Sequence, residues 1–172
     1  MKQLRLFGSE DDINSNITDT PKHQWKLYVD GASRNNPGPS GAGIYLLKDN
    51  VVIEKQGYFL GVKTNNEAEY LALILGMLLL RQFVTAADEV FIISDSQLLI
   101  RQLQGKYRVR TDTLKPFYAV AHTLISAVNP KMMHVLRAEN TEADKLANLG
   151  VDKKRAIPAE FVLLLKQYGL HV

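Results

Sequence analysis

Four acidic residues, far apart in the chain, stand where an acid is either a cap or a ligand. Asp30 ends the alternating run QWKLYVD at a turn rich in glycine and proline, and Asp95 ends the apolar run EVFIIS where a helix begins. In open α/β sheets the ends of neighbouring strands are where ligands bind, although either Asp would also serve simply as an N-cap. Glu69 is followed at +4, +8 and +11 by Leu73, Met77 and Leu80, offsets that stay on one helical face. It therefore belongs to the buried stripe of its helix, while Glu67, about 200° round, faces water. A buried carboxylate without a partner is costly, so Glu69 either projects past the core edge into solvent or answers to a cation. Asp144 lies in the first turns of a short helix, three residues before Ala147. There it and Glu142 would also suit the helix dipole. Together the four offer hard oxygen ligands from strand ends and helix starts. With no cysteine in the chain and no histidine cluster, the set suits Mg²⁺ or Mn²⁺ and not zinc.

The elements that must carry these residues follow from periodicity. QWKLYVD, AGIYLLKD and VVIEKQGYFLG read as strands, with Asp49-Asn50 as a hairpin turn between the last two. TNNEAEYLALILGMLLLRQF is a helix with cap candidates at Thr64 to Asn66. EVFIIS is a continuous apolar run, read as a buried strand, and DSQLLIRQLQ starts a short helix. TLKPFYAVAHTLISAV is a helix with Pro116 in its first turn. KMMHVLR is a short strand, NTEADKLANLG a helix with Gly150 as its C-cap, and AEFVLLLKQYGL a last helix. The order predicts an α/β fold, a mixed sheet flanked by helices and not a uniform βαβ repeat.

The chain has 172 residues, enough for one domain with a real core and short extensions. Without cysteine, disulfides and thiolate metal sites are excluded. The longest apolar runs are too short to span a bilayer, and residues 1–20 lack a signal-peptide pattern, so the expectation is a cytoplasmic protein. The net charge is +3. Residues 1–23 carry Glu10, Asp11, Asp12 and Asp19 against Lys2, Arg5 and Lys22, a net −1 that leaves +4 on the remainder. A mildly basic body is compatible with a polyanionic partner.

The segments YVDGASRNNPGPSGAG, TNNEAEYLAL, ISDSQ and ENTEADKLAN, in that order over roughly residues 24–150, resemble ribonuclease H, type 1. The resemblance implies a five-stranded mixed sheet with the first three strands antiparallel. It implies that Asp30, Glu69, Asp95 and Asp144 are the catalytic, metal-binding acids. In such a site two Mg²⁺ ions about 3.5–4 Å apart, with Mn²⁺ an alternative, hold an attacking water, the scissile phosphate and the leaving oxygen in line. The implied reaction is endonucleolytic hydrolysis of the RNA strand of an RNA–DNA hybrid, leaving 5′-phosphate and 3′-hydroxyl ends. Gly31, Ala32, Ser33 and Asn36 would approach the RNA strand in the minor groove, and Thr64, Asn65 and Asn66 would contact both strands. Turn formation is the ordinary role of Asn36, and capping that of Thr64 to Asn66. Two other classes compete. Proofreading-type exonucleases share the fold but place Asp-x-Glu on the first strand, where this chain has Asp30-Gly31-Ala32. A non-catalytic hybrid-binding module would be favoured by loss of an acid, and none is lost.

The chain departs from the family pattern in places. Many members have a histidine in the loop before the last Asp; here that loop is RAENTEAD, with Arg137, Glu139 and Asn140 as candidate substitutes. His134 falls too early and reads as a structural strand residue. The basic handle of some members is absent, and in GKYRVRTDTLKPF the alternating Lys106, Arg108 and Arg110 either form a small basic strip for the DNA strand or a solvated turn. Val62 stands where some members have Arg, with Lys63 beside it. The chain thus resembles the compact, archaeal-like branch, and a monomer is expected. After Gly150, residues 151–172 read as a helical extension in which Phe161, Leu164, Leu165 and Tyr168 cover the core.

The amino terminus carries a separate signal. Gln3-Leu4-Arg5-Leu6-Phe7 resembles the peptide by which bacterial replication and repair proteins bind the ring-shaped sliding clamp, matching at Gln3, Leu4, Leu6 and Phe7. Residues 1–8 would be that peptide, with Leu6 and Phe7 as anchors, and residues 9–23 a polar linker. The alternative is that Leu4, Leu6 and Phe7 fold back on the body or add an edge strand.

Overall fold

The computed structural model describes residues 22–172, so the clamp-like peptide at Gln3 to Phe7 and most of the linker lie outside the described residues. Five strands form one sheet: β1 (Gln24–Ser33), β2 (Gly38–Lys48), β3 (Val51–Lys63), β4 (Glu89–Ser94) and β5 (Lys131–His134). Their spatial order is β3-β2-β1-β4-β5. β1, β2 and β3 pair antiparallel, whereas β1–β4 and β4–β5 pair parallel. This is the mixed sheet expected from the sequence. Asp49 and Asn50 both take positive φ (50° and 64°), which matches the twist of the β2–β3 hairpin.

Alternation assigns the two sheet faces. Trp25, Leu27 and Val29 of β1 are buried against α1 (Asn65–Leu80), with α3 (Lys115–Val128) packed in the same core. The helix α1 is buried nearly all round, from Ala68 to Leu80. The stripe of Leu73, Met77 and Leu80 is therefore part of a wholly buried surface and not a distinct face. Glu67, expected in water, is half-buried: it closes a capping box with Thr64, its Oε2 accepting the Thr64 amide at 2.7 Å. The short helix α2 (Gln97–Leu103) is capped by Ser96, which accepts from the Leu99 amide at 3.3 Å.

On the opposite face lies α4 (Thr141–Lys153), seated on glycines. A Cβ on Gly43 would come within 1.9 Å of the Ala143 carbonyl oxygen, and one on Gly41 within 2.2 Å of that of Ala147. Gly150 does not cap this helix. It lies inside α4, where a Cβ would meet the Tyr58 backbone of β3 at 2.6 Å, and the left-handed cap is Lys154 at φ 47°. Close approach and not termination explains that glycine. The final helix α5 (Ala159–Gln167) docks through Phe161 and Leu165. Leu164 is partly buried, and Leu170, not the exposed Tyr168, completes the cover. Among the described residues no helix is long and apolar enough to cross a membrane.

Candidate active site

The parallel register places the acids of the sheet. Tyr28 of β1 is opposite Ile93 of β4, the last pair of that ladder, so Asp30 and Asp95 both lie two residues beyond it, Asp30 still within β1 and Asp95 just past the end of β4. Asp30 points to the α4 face, since it pairs with Gly43, the glycine beneath Ala143. That contact brings the first turns of α4, and with them Asp144, over Asp30. Glu69 comes from the other face. A Cβ on Gly31 would lie 2.2 Å from the Glu69 amide nitrogen, so the bare Gly31 backbone lets α1 close on the strand end. The Gly31 amide then donates to Glu69 Oε2 at 3.1 Å. All four acids line one open cleft of about 440 Å³ together with Gly31, Ala32, Ser33, Arg34, Asn65, Ser96, Arg137 and Asn148.

The cleft is electrostatically loaded. Asp30 and Glu69 are each only 6% exposed. Burial, reinforced by the carboxylates of Asp95 and Asp144, pushes the Asp30 carboxyl up to about 7 against a downward pull from Arg137 and the Gly31 amide. Burial also drives Glu69 well above its ordinary value, followed by the repulsion of Asp30 and Asp95. Asp144 accepts from Arg137 Nη2 at 2.9 Å, and that hydrogen bond raises the guanidinium further above its usual value. Asp95 accepts from Asn140 Nδ2 at 2.8 Å.

Among the described residues no three acids or histidines are gathered tightly enough to grip one ion as they stand. The donor chemistry fits a hard divalent cation all the same. Four carboxylates share the cleft, two are nearly buried, and Arg137 is the one cationic side chain bonded to any of them among the described residues. Such a charge is relieved by protonation or by a cation.

The expected nucleic-acid contacts divide. Gly31, Ala32, Ser33 and Asn65 line the cleft; Asn36, Thr64 and Asn66 do not. Asn36 lies behind Asn65, its Oδ1 accepting the Asn65 amide at 2.9 Å and so tying the β1–β2 turn to the start of α1. The Ser33 hydroxyl bonds the Asn35 carbonyl and, at 2.9 Å, that of Lys63. Thr64 caps α1, and Asn66 is exposed at its first turn.

Of the three candidates for the missing histidine, Glu139 turns back to accept the Leu136 amide at 3.1 Å, while Arg137 and Asn140 reach site carboxylates. His134, read as a strand residue, ends β5 with an exposed ring whose Nε2 lies 3.2 Å from the Asp95 carbonyl oxygen. Sequence reasoning passed over Arg34, Ser96 and Asn148. Asn148 is one helical turn after Asp144 and donates to its carbonyl at 2.9 Å, a spacing that could have flagged it. Arg34 bonds Asp152 at 2.9 Å, and nothing in its local sequence marks that contact.

A family profile described as Reverse transcriptase-like matches residues 28–150. Ribonuclease HI of Halobacterium salinarum is 35% identical over 147 residues, covering 84% of this chain and 73% of that one. The chain belongs to the type 1 ribonuclease H family. The Bifunctional protein Rv2228c of Mycobacterium tuberculosis is 36% identical over 129 residues, 73% of this chain but 35% of that protein, so the match spans about a third of the longer relative. A solved structure of RNase H1 from Halobacterium salinarum superposes with a TM-score of 0.71 at 34% identity over 76% of this chain and 98% of that one. The structure of LC11-RNase H1 in complex with RNA/DNA hybrid gives a TM-score of 0.70 at 34% identity, over 75% of this chain and 97% of that one. Membership in this family makes the protein a nuclease of the hydrolase class.

Proposed function

We propose that this ribonuclease H hydrolyses the RNA strand of RNA–DNA hybrids endonucleolytically, leaving 5′-phosphate and 3′-hydroxyl ends. The convergence of Asp30, Glu69, Asp95 and Asp144 on one cleft carries the reading, and the similarity to LC11-RNase H1, solved with a hybrid, supports the substrate.

The four carboxylates would hold the two divalent ions, Mg²⁺ or Mn²⁺. When bound, the ions supply activation of a water and neutralisation of the leaving oxygen. The chain's own residues do the rest. Gly31, Ala32 and Ser33 present backbone to the RNA strand at the cleft floor, where 2′-hydroxyls distinguish RNA from DNA. Asn36 fixes Asn65, and the exposed side chains of Asn65 and Asn66, beside the Thr64 cap, meet backbone phosphates of both strands. Arg137 holds Asp144 while adding positive charge at the cleft mouth. Lys106, Arg108 and Arg110, all exposed, reach for the DNA strand. A uniformly labelled RNA–DNA hybrid tests this. RNA fragments with 3′-hydroxyl ends and an intact DNA strand are expected in Mg²⁺. Uncut RNA with folded protein, or equal cutting of both strands, contradicts it.

We further propose that Gln3, Leu4, Leu6 and Phe7 bind a bacterial sliding clamp. The described chain enters the body beside the β2–β3 hairpin, where Asp49 accepts from the Gln24 amide at 2.9 Å. Six residues of β1, about 20 Å, separate that point from Asp30. Capture by a purified clamp should be lost in the Leu6→Ala/Phe7→Ala protein; equal capture of both defeats the idea.

A further inference from the structure

A buried polar contact beside the cleft is not used by the reaction. Gln102 of α2 is 4% exposed, and Tyr70, the residue after Glu69 in α1, is 1% exposed. The Tyr70 hydroxyl donates to Gln102 Oε1 at 2.7 Å. This fixes the amide: its oxygen faces α1, and its nitrogen faces the loop that follows α2. Gln102 Nε2 lies 3.5 Å from the Arg108 carbonyl oxygen, the outer limit of a hydrogen bond. The same loop is secured by the Lys106 and Tyr107 amides, which donate to the Arg101 carbonyl at 2.9 and 3.1 Å, and by Val109, which packs on the core.

Held in this way, Lys106, Arg108 and Arg110 are all exposed. Among the described residues none of them pairs with a carboxylate. With Leu98 and Tyr107 they line a second cleft of about 360 Å³. Ser96 lines the carboxylate cleft and Leu98 the basic one, so the two clefts flank the first turn of α2.

We infer that Gln102 is a positioning residue for nucleic-acid binding. Through Tyr70 it locks the basic loop to the helix that carries Glu69, so the cations meet the DNA strand while the RNA strand lies in the carboxylate cleft. The inference rests on the hybrid-cleaving reading above. A loop already held loses little entropy on binding, and its cations meet phosphates in a fixed geometry. The side chain at position 102 must accept on one side and donate on the other, as an amide does. Leucine, of similar size, does neither.

The test compares wild type, Gln102→Leu and the double variant Tyr70→Phe/Gln102→Leu on a labelled RNA–DNA hybrid. Gln102→Leu should raise KM roughly three- to tenfold with a shallower salt dependence, and leave kcat within about twofold. Metal-free hybrid affinity, read by fluorescence anisotropy, should fall by the same factor. The double variant removes both polar groups, so it should recover the melting temperature lost by Gln102→Leu without recovering KM. Unchanged KM and affinity in Gln102→Leu overturn the inference, as does a double variant that regains both stability and KM. If wild type neither binds nor cuts the hybrid, the reading beneath fails and takes the inference with it. Cutting by wild type alongside an unchanged Gln102→Leu KM sinks the inference alone.

Discussion

Burial and the carboxylates of Asp95 and Asp144 hold the Asp30 carboxyl at about 7, against an ordinary 3.8. The sign of the consequence is definite. Between those values the native state binds more protons than the unfolded chain, so the stability present in full below pH 4 is lost as the pH rises through 7. The metal-free protein should therefore melt lower at pH 8 than at pH 5. Asp30→Asn should remove much of that slope, stabilising the metal-free fold at pH 8 by ~2–4 kcal/mol while abolishing cleavage. Mg²⁺ should raise the wild-type melting temperature and leave that of Asp30→Asn nearly unmoved; calorimetric scans with and without the metal check both. Asn140 acts beside these acids. It is 1% exposed, and its amide donates to the Val29 carbonyl at 3.0 Å and to Asp95 at 2.8 Å. Asn140→Leu should cost about 1–3 kcal/mol and lower kcat more than it raises KM, as steady-state kinetics on the hybrid would record.

Elements place these residues through what their contacts leave out. Gly43 under Ala143 and Gly31 against Glu69 allow α4 and α1 to close on opposite faces of the same strand end. Gly43→Ala should cost about 3 kcal/mol by urea titration, at the upper end for overpacking, because the added carbon meets backbone and not a flexible side chain. It should also depress activity by displacing Asp144. Thr64→Ala, which removes one half of a capping box, should cost only about 1 kcal/mol. The strands and helices themselves were legible in the sequence: the period-two alternation of QWKLYVD, the apolar block EVFIIS and the proline in the first turn of α3 each name their element. The roles of the glycines were not. A glycine's sequence neighbours report turn or cap chemistry, whereas Gly43 and Gly150 answer to helices distant in the chain. For the same reason Gly150 looked like a helix end. The amphipathic pattern that singles out Glu69 is weak, since a helix buried all round has no polar face to contrast with the apolar one.

At the scale of the molecule, the four acids singled out in the sequence, at strand ends and helix starts, line one cleft. Arg34 was harder to place, because its contact with Asp152 crosses between elements whose spacing only the fold sets. The working surfaces are disposed around one sheet. The carboxylate cleft occupies the carboxyl ends of β1 and β4, the basic loop stands across the start of α2 from it, and residue 22 begins the described chain at the far end of β1. The claim on which the rest depends is that Asp30, Glu69, Asp95 and Asp144 jointly bind divalent metal. A crystal soaked in Mn²⁺ and measured at a wavelength where manganese scatters anomalously tests it most directly. The account predicts anomalous density between those four side chains, with Asp144 drawn toward Asp30. Density that is absent from this cleft while Mn²⁺ binds elsewhere on the protein would contradict it.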